Sequence, residues 1–524
     1  MADETRVFHF HSDAYPDDTF QLTTLRGFEE ISAPYEFTVE MQSKKADIAF
    51  DQMLTTAARI DIRQSIPVPG GKPRSRLFSL WGVLSSFEIQ EKLQDNISYR
   101  AVLVPRLWKC GLTTQSRVFQ EMTIEEIIKA VLTEKGGSGL TTQDFEITLT
   151  GSHSKKEFVV QYNETDLDFL HRWLEYEGIF YYFQQTDTGE KIVFNDGIDV
   201  FPRLPSDPKV PYRPDPSTRN RSAGSQEEQE QIVSQLRCRW NKTTKQVVLK
   251  DHNYRTPSVD VKAEAESKNP AAEGMLYAFG EHFKTAAEGK AIAQLRSEEM
   301  ACRDKVLEGR GDHRLFRAGS VFNLGDHFQA DFNAPYLLTR VEHDAKQGTA
   351  AAGKGGTMTY ENEFTCIPSD VAFRPERRTE WPSIHGFVNA TIDAGGSGEY
   401  AEIDDQGRYK VKLPFDLSDK KDGKASRYVR MMQPYAGGGM GMHFPLHKGT
   451  EVALGFVDGD PDRPLILGAL VNPETASPVS GANSTQCKIH TGGGNSMTIE
   501  DTAGTQSITL HSPSGNTMFS MGKT

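Results

Sequence analysis

Three aspartates, Asp458, Asp460 and Asp462, occupy alternate positions in the run GFVDGDPDRPLILGALVN at 455–472, the spacing of the first three ligands of a calcium-binding EF-hand loop. The rest of that loop is wrong. Its sixth position, a turn-making Gly, is Arg463; its twelfth, a bidentate Glu, is Ala469; and Pro461 intrudes. Asp-Gly followed by Asp-Pro is turn chemistry, and here it joins two apolar runs, 450–457 and 465–471, that read as consecutive strands. His443 and His447 have the spacing of a zinc-binding helix, but Phe444 stands where the Glu belongs and Pro445 forbids the helix. His9 and His11 share one side of a strand, with Phe8 and Phe10 on the other, which predicts a solvated histidine face.

Other motifs fail for equally local reasons. YAGGGMGMHFP at 435–445 is as glycine-rich as a phosphate cradle, yet no Gly-Lys-Ser/Thr follows and it lies between strands. The terminal Gly-Lys-Thr copies the end of a P-loop, but Thr517 stands where its first Gly belongs. GGSG at 136–139 and 395–398 is not Gly-x-Ser-x-Gly, and neither copy sits at the strand-to-helix turn of a nucleophile elbow. Carboxylates abound, but spacing pairs none of them across a glycosidase cleft. No catalytic, cofactor-binding or metal-ligating residue is predicted.

The chain has 524 residues, enough for several domains, with 37% hydrophobic and 25% charged residues, an ordinary globular composition. Lys and Arg number 59 against 72 Asp and Glu; the net charge of -13 opposes nucleic acid and anionic membranes, and no dense basic block offsets it. Cys110, Cys238, Cys302, Cys366 and Cys487 lie dozens of residues apart without a Cys-x-x-Cys pair, which predicts buried free thiols. The first residues, MADETRVFHFHSD, have neither the basic start nor the apolar core of a signal peptide, and no apolar run reaches membrane-spanning length. Synthesis in the cytoplasm is expected, with any exit by a route that reads no signal peptide.

Residues 1 to about 370 mix short alternating strands with three marked helices, predicting α+β or β-barrel modules. The first helix opens with a capping box of Thr123 and Glu126, buries Ile124, Ile127, Ile128, Val131 and Leu132, and stops at Gly136. The second pairs Thr165 with Asp168, presents Leu167, Leu170, Trp173 and Leu174, and stops at Gly178. The third runs from about 283 to 302 and breaks at 309–312. Stretches at 214–231 and from Lys346 read as surface connections, and the Pro- and charge-broken string 373–383 as a linker. Five short apolar segments at 384–472 then predict a five-stranded OB-type barrel, with Tyr409, Val411 and Leu413 inward and Lys410 and Lys412 outward. Those lysines with Arg427 and Arg430 would line a groove if the barrel bound single-stranded nucleic acid, although aspartates crowd the same region.

In the last segment, 473–524, Gly494-Asn495-Ser496-Met497 recurs as Gly515-Asn516-Thr517-Met518. Met497, Ile499, Ile508 and Leu510 alternate with polar residues, so each strand has one apolar edge. Four apolar anchors are too few to offset the entropy of ordering such a chain alone. The edges must meet identical edges from other copies, which predicts an intertwined β-helix in a homo-oligomer with Met497, Ile499, Ile508, Leu510 and Met518 as its core.

The stretches NETDLDFLHRWLEYEGIFYYF from Asn163, RVFQEMTIEEIIKAVL from Arg117, YENEFTCIPSDVAFRP from Tyr360 and, above all, RYKVKLPFDL with VRMMQPYAGGGMGMHFPLHKGTEVALGFVDGDPDRPLILGALVN resemble the VgrG proteins. These are the trimeric spikes of bacterial type VI secretion systems, kin to phage tail hub and spike proteins. The turn at 458–464 resembles the family's own, for which the family offers no metal role. The resemblance implies a mainly β chain with some α: a hub-like region at 1–372 with two barrel-like domains, a linker at 373–383, the OB-fold barrel at 384–472, and at 473–524 the start of a β-helical needle that familiar members continue much further. It implies a non-enzymatic homotrimer that caps a hexameric Hcp-like tube, contacts baseplate components, carries effectors and a PAAR-type tip protein, and punctures target membranes without a transmembrane segment. Secretion would be by the type VI machine. The spike of a contractile phage tail or extracellular injection particle would look much the same, and a nucleic-acid-binding OB protein is the alternative from another class.

Overall fold

The computed structural model describes residues 6–66, 74–93, 95–134, 137–205, 209–215, 217, 230–348 and 358–522. The helix stop expected at Gly136, most of the connection at 214–231, much of that from Lys346 and the last two residues of the terminal Gly-Lys-Thr lie outside them. The chain forms two compact units. One comprises 1–115, 121–156 and 163–381; the other comprises 382–524 together with 116–120 and 157–162.

In the first unit, strand alternation builds one twelve-stranded sheet among the described residues. Its path runs Phe8–Ser12, Ala57–Ile66, Arg74–Leu93, Asn96–Val104, Glu36–Ser43, Gln21–Glu30, Pro335–Lys346, Thr359–Pro368, Lys305–Gly311, Val233–Trp240, with Val321–Gly325 attached beside Pro335–Lys346 and Lys209–Pro211 beside Val321–Gly325. Two hydrophobic cores lie along this sheet. One gathers Phe8, Phe10, Phe37, Val39 and Tyr99; the other gathers Phe316, Phe322, Leu338, Val341 and Phe364. They adjoin where Gln21–Glu30 pairs antiparallel with Pro335–Lys346. At Gly309 the Phe364 ring fills the space a Cβ would take, so only glycine lets those strands pack closely.

Phe8 and Phe10 are buried as alternation expects. The opposite face is not the solvated one predicted: His11 is buried, with Nδ1 2.8 Å from Asp17 and Nε2 3.1 Å from Asp61. The physical reason is pairing, since carboxylates that arrive from elsewhere in the chain satisfy a ring that local sequence leaves exposed.

Helix Ile124–Leu132 has its capping box with Thr123 and Glu126 and buries the five expected residues. Helix Asp166–Glu177 ends at Gly178 in the left-handed region (φ 70°). Its cap is half a box. Thr165 Oγ1 accepts from Asp168 N–H at 3.0 Å, but the shorter Asp168 side chain accepts a hydrogen bond from the Thr165 hydroxyl at 2.7 Å instead of from the Thr165 N–H. Phe169 is buried where Leu167 was expected, and Arg172 beside it is 1% exposed, bidentate on Glu164 (2.8 and 2.7 Å) with its guanidinium 4.6 Å from the Trp381 ring. Helix Ala286–Ala301 starts after the Thr285 cap and packs Ala293 against Val247 and Leu249 of a three-stranded sheet. The break expected at 309–312 is the end of strand Lys305–Gly311. Segment 373–381 is tied down by Arg374 to Glu298 (2.8 Å) and Arg377 to Glu281 (2.7 Å).

In the second unit, Lys410–Lys412, Val388–Asp393, Glu451–Phe456 and Pro464–Ala469 form a sheet in that order. The fifth segment closes it by bridges, Val429 with Tyr409 and Met431 with Ile466. Tyr409, Val411 and Leu413 are buried, as alternation expects. The core also takes Val118, Phe158 and Val160 from the N-terminal half of the chain, a contribution local patterning does not reveal.

His153 binds Glu177 Oε2 through Nδ1 (2.8 Å) and Asp196 Oδ2 through Nε2 (3.0 Å). Burial opposes its charge, but these two bonds prevail and raise its pKa from 6.5 to about 9, while the same bond holds Asp196 below its usual range against burial. The raised pKa means the imidazolium's stabilisation is complete below about 6.5 and is lost as pH rises through about 9. His153→Gln is expected to lower the melting temperature at about pH 6 and to differ much less from the parent at about pH 10 in thermal melts. A gap that does not shrink with pH refutes the assignment.

Candidate assembly surface

The three aspartates do not converge. Asp458 adopts a left-handed conformation (φ 57°) and lies 3.8 Å from Arg463. Asp460 Oδ1 accepts from Asp462 N–H at 2.9 Å, and Asp460 C=O accepts from Arg463 N–H at 2.9 Å, which is turn bonding. Asp462 is buried, and its Oδ1 accepts the Val160 N–H at 2.5 Å. Its carbonyl accepts from Arg427 Nη2 at 3.1 Å, and Arg427 also reaches Glu157 at 3.3 Å. The turn therefore pins the 157–162 strand to the barrel. His443 and His447 likewise part company: His443 shares a 3.1 Å hydrogen bond with the Tyr409 hydroxyl, whereas the His447 ring packs 4.4 Å from Tyr400. Of the groove cations, Lys410 donates to Gly423 C=O at 2.7 Å and Arg427 serves the barrel as described.

The C-terminal residues make an antiparallel meander of Gln486–His490, Ser496–Glu500, Ser507–Ser512 and Thr517–Gly522. Its register is regular. Cys487, Ile499, Ile508 and Met521 line up in one cross-strand row, and Ile489, Met497, Leu510 and Phe519 in the next. Opposed and alternate residues share a face, so these eight form one apolar surface. Met497, Ile499, Ile508 and Leu510 are thus brought together. Met518 is not: it pairs with His511 on the polar face with Thr498 and Thr509. The glycine-asparagine repeat places Met518 by analogy with Met497, but the start of the last strand shifts the parity, and Phe519 and Met521 take the apolar row. Alternation along TMFSMG was the signal that identifies them. Cys487 belongs to this exposed row, and Cys238 is half-buried; only Cys110, Cys302 and Cys366 are the buried thiols predicted.

No described residue beyond Ile466 is buried. Leu510, Phe519 and Met521 are 46, 57 and 50% exposed. A one-layer sheet has nothing to bury this face against, and in water such a face requires a partner.

The family model for the phage tail baseplate hub (GPD) matches residues 28–349, more than half of the chain. The chain belongs to the phage tail baseplate hub family. A second model, the type VI secretion system/phage-baseplate injector OB domain, matches residues 400–470 of this hub protein. It is similar to the type VI secretion system spike protein VgrG1b of Pseudomonas aeruginosa, 28% identical over 524 residues, covering 98% of this chain and 68% of that protein. Its fold is similar to that of the E. coli c3393 protein, described as a type VI secretion component with structural similarity to bacteriophage tail proteins (TM-score 0.61, 23% identity, 88% of this chain and 99% of that one). It is similar also to a chain of the half-lidded Francisella PdpA-VgrG complex (TM-score 0.62, 11% identity, 98% and 85%). The hub protein is a structural spike of a contractile injection machine.

Two substitution sets follow from this geometry. Asp462→Ala leaves the buried Val160 N–H without its carboxylate and is expected to cost about 1–3 kcal/mol in denaturant unfolding of the barrel unit, with no calcium-dependent shift in the parent. Ile508→Asp or Phe519→Asp is expected to weaken self-association measured by light scattering, because a charge enters the apolar face; Met518→Asp is expected to leave it unchanged. Equal effects at Met518 and Phe519 refute the register.

Proposed function

We propose that the hub protein is a homotrimer whose C-terminal meanders intertwine as the start of a β-helical needle, with the apolar face of Met497, Ile499, Ile508, Leu510, Phe519 and Met521 at the seam. The exposed apolar face carries this reading, because one chain offers it no cover. In it, 1–372 is the hub, 384–472 the injector barrel and 473–524 the needle's beginning. The trimeric hub caps a hexameric Hcp-like tube and engages baseplate components. The tip takes a PAAR-type protein and effectors; a structure of similar fold holds a VgrG chain in complex with PdpA. The spike acts mechanically, breaching a target membrane without crossing it by a helix of its own; among the described residues no helix is long and apolar enough to span one. It carries no catalytic role, in keeping with a family of structural spikes. It waits in the cytoplasm and leaves through the machine.

The injector-domain family covers both type VI systems and phage baseplates, so a phage-tail spike is the second reading with support. Similarity over 98% of the chain to a type VI spike favours the first.

The test is the absolute mass of the purified full chain by light scattering behind a sizing column. A mass near three times 58.4 kDa is expected. A single-chain mass at micromolar concentration overturns the trimeric assembly.

A further inference from the structure

A cavity of 420 Å³ in the first compact unit is bounded by the large sheet, the C-terminal ends of helices Asp166–Glu177 and Ala286–Ala301, and segment 373–378. Its volume lies within the roughly 300–1,000 Å³ of small-ligand sites. Part of its wall is apolar: Ile31 and Ile367 are buried members of one hydrophobic cluster, and Val306 and Phe373 pack half-buried against it.

The remaining wall is charged, and its carboxylates are already engaged. Glu30 accepts from Arg340 Nη1 at 2.8 Å and from Arg378 Nη1 at 2.9 Å. Glu175 accepts from the Arg378 N–H at 3.1 Å, the Thr379 N–H at 3.0 Å and the Thr379 hydroxyl at 2.8 Å. Glu376 accepts from Arg378 Nε at 2.9 Å. The guanidinium groups are less fully used, since each has five N–H donors. Arg303 gives Nη1 to the Glu299 carbonyl, while its Nη2 stops 3.7 Å from Glu376, beyond hydrogen-bond distance. Arg239 pairs through Nη2 with Glu308 at 2.9 Å, and its side chain stays 61% exposed. The rim thus has donors for a further acceptor, and the interior has surface for hydrocarbon. A guanidinium takes a carboxylate in a planar fork. A phosphate dianion would face Glu30, Glu175 and Glu376 around the same space, so a single negative charge is the better match.

We propose that this cavity is a binding site for a carboxylate carried next to a branched hydrocarbon chain, the chemistry of an aliphatic C-terminal residue of a polypeptide or of a free aliphatic acid. The hydrocarbon lies against Ile31, Val306 and Ile367, and Arg303 and Arg239 hold the carboxylate. Every wall belongs to one chain, so the site is complete in a single copy.

The experiment is titration calorimetry of the purified full chain with acetyl-Gly-Gly-Leu as the free acid, the same peptide as its amide, and 4-methylpentanoate. Saturable binding of an acid is expected with a dissociation constant on the order of 100 µM, and the amide is expected to bind at least about tenfold more weakly. Binding of the peptide acid without 4-methylpentanoate identifies a polypeptide C-terminus as the source, and the reverse identifies a free acid. Equal affinity of peptide acid and amide, or no saturable heat from either acid, overturns the site. Arg303→Gln with Arg239→Gln is expected to weaken binding at least about tenfold while near-ultraviolet circular dichroism is retained. Ala33 lines the cavity, and Ala33→Trp is expected to fill it and abolish binding. Unchanged affinity in either variant overturns the proposal.

Discussion

The barrel of this hub protein depends on a buried carboxylate. Asp462 leaves solvent to accept the N–H of Val160, a group from a strand some three hundred residues earlier in the chain. A backbone N–H sealed in a barrel wall needs an acceptor, and a charged one forms the stronger bond. With that bond in place, Phe158 and Val160 join Val411, Leu454 and Ile466 in one core, and Arg427 seals the margin over the Phe158 ring. The chain therefore enters the barrel unit twice before it arrives there for good at Pro382.

The second constraint is that a single β-layer cannot bury its own apolar face. In the first unit the sheet has two cores, so its alternating strands are satisfied within one chain. In the meander, side chains of the same kind stay half in water. The difference is in the number of layers, since the strands themselves are equally regular.

Much of this was legible locally. The capped helix Ile124–Leu132, the left-handed stop at Gly178 and the inward row Tyr409, Val411, Leu413 all follow from interactions within a few residues. The failed calcium loop was likewise readable, because ligand identity at fixed offsets is a local property. Alternation also puts Met497, Ile499, Ile508 and Leu510 on one face of the meander, as the register has them. Met518 lies on the other face, because a sequence repeat reports resemblance of turns, whereas the face of a residue is set by strand register, and a one-residue change of parity reverses it.

What the sequence by itself determined is the set of β-rich modules, their turns and caps, and the surplus of apolar edges at the C-terminus, since period and turn chemistry are short-range. Only the tertiary structure decided which distant groups meet: that Asp61 reaches the buried His11, that the Trp381 ring lies against Arg172, and that Val118, Phe158 and Val160 complete the barrel. Burial of a charge or a strand edge is settled by partners far along the chain, and one-dimensional patterning carries no information about their distance in space.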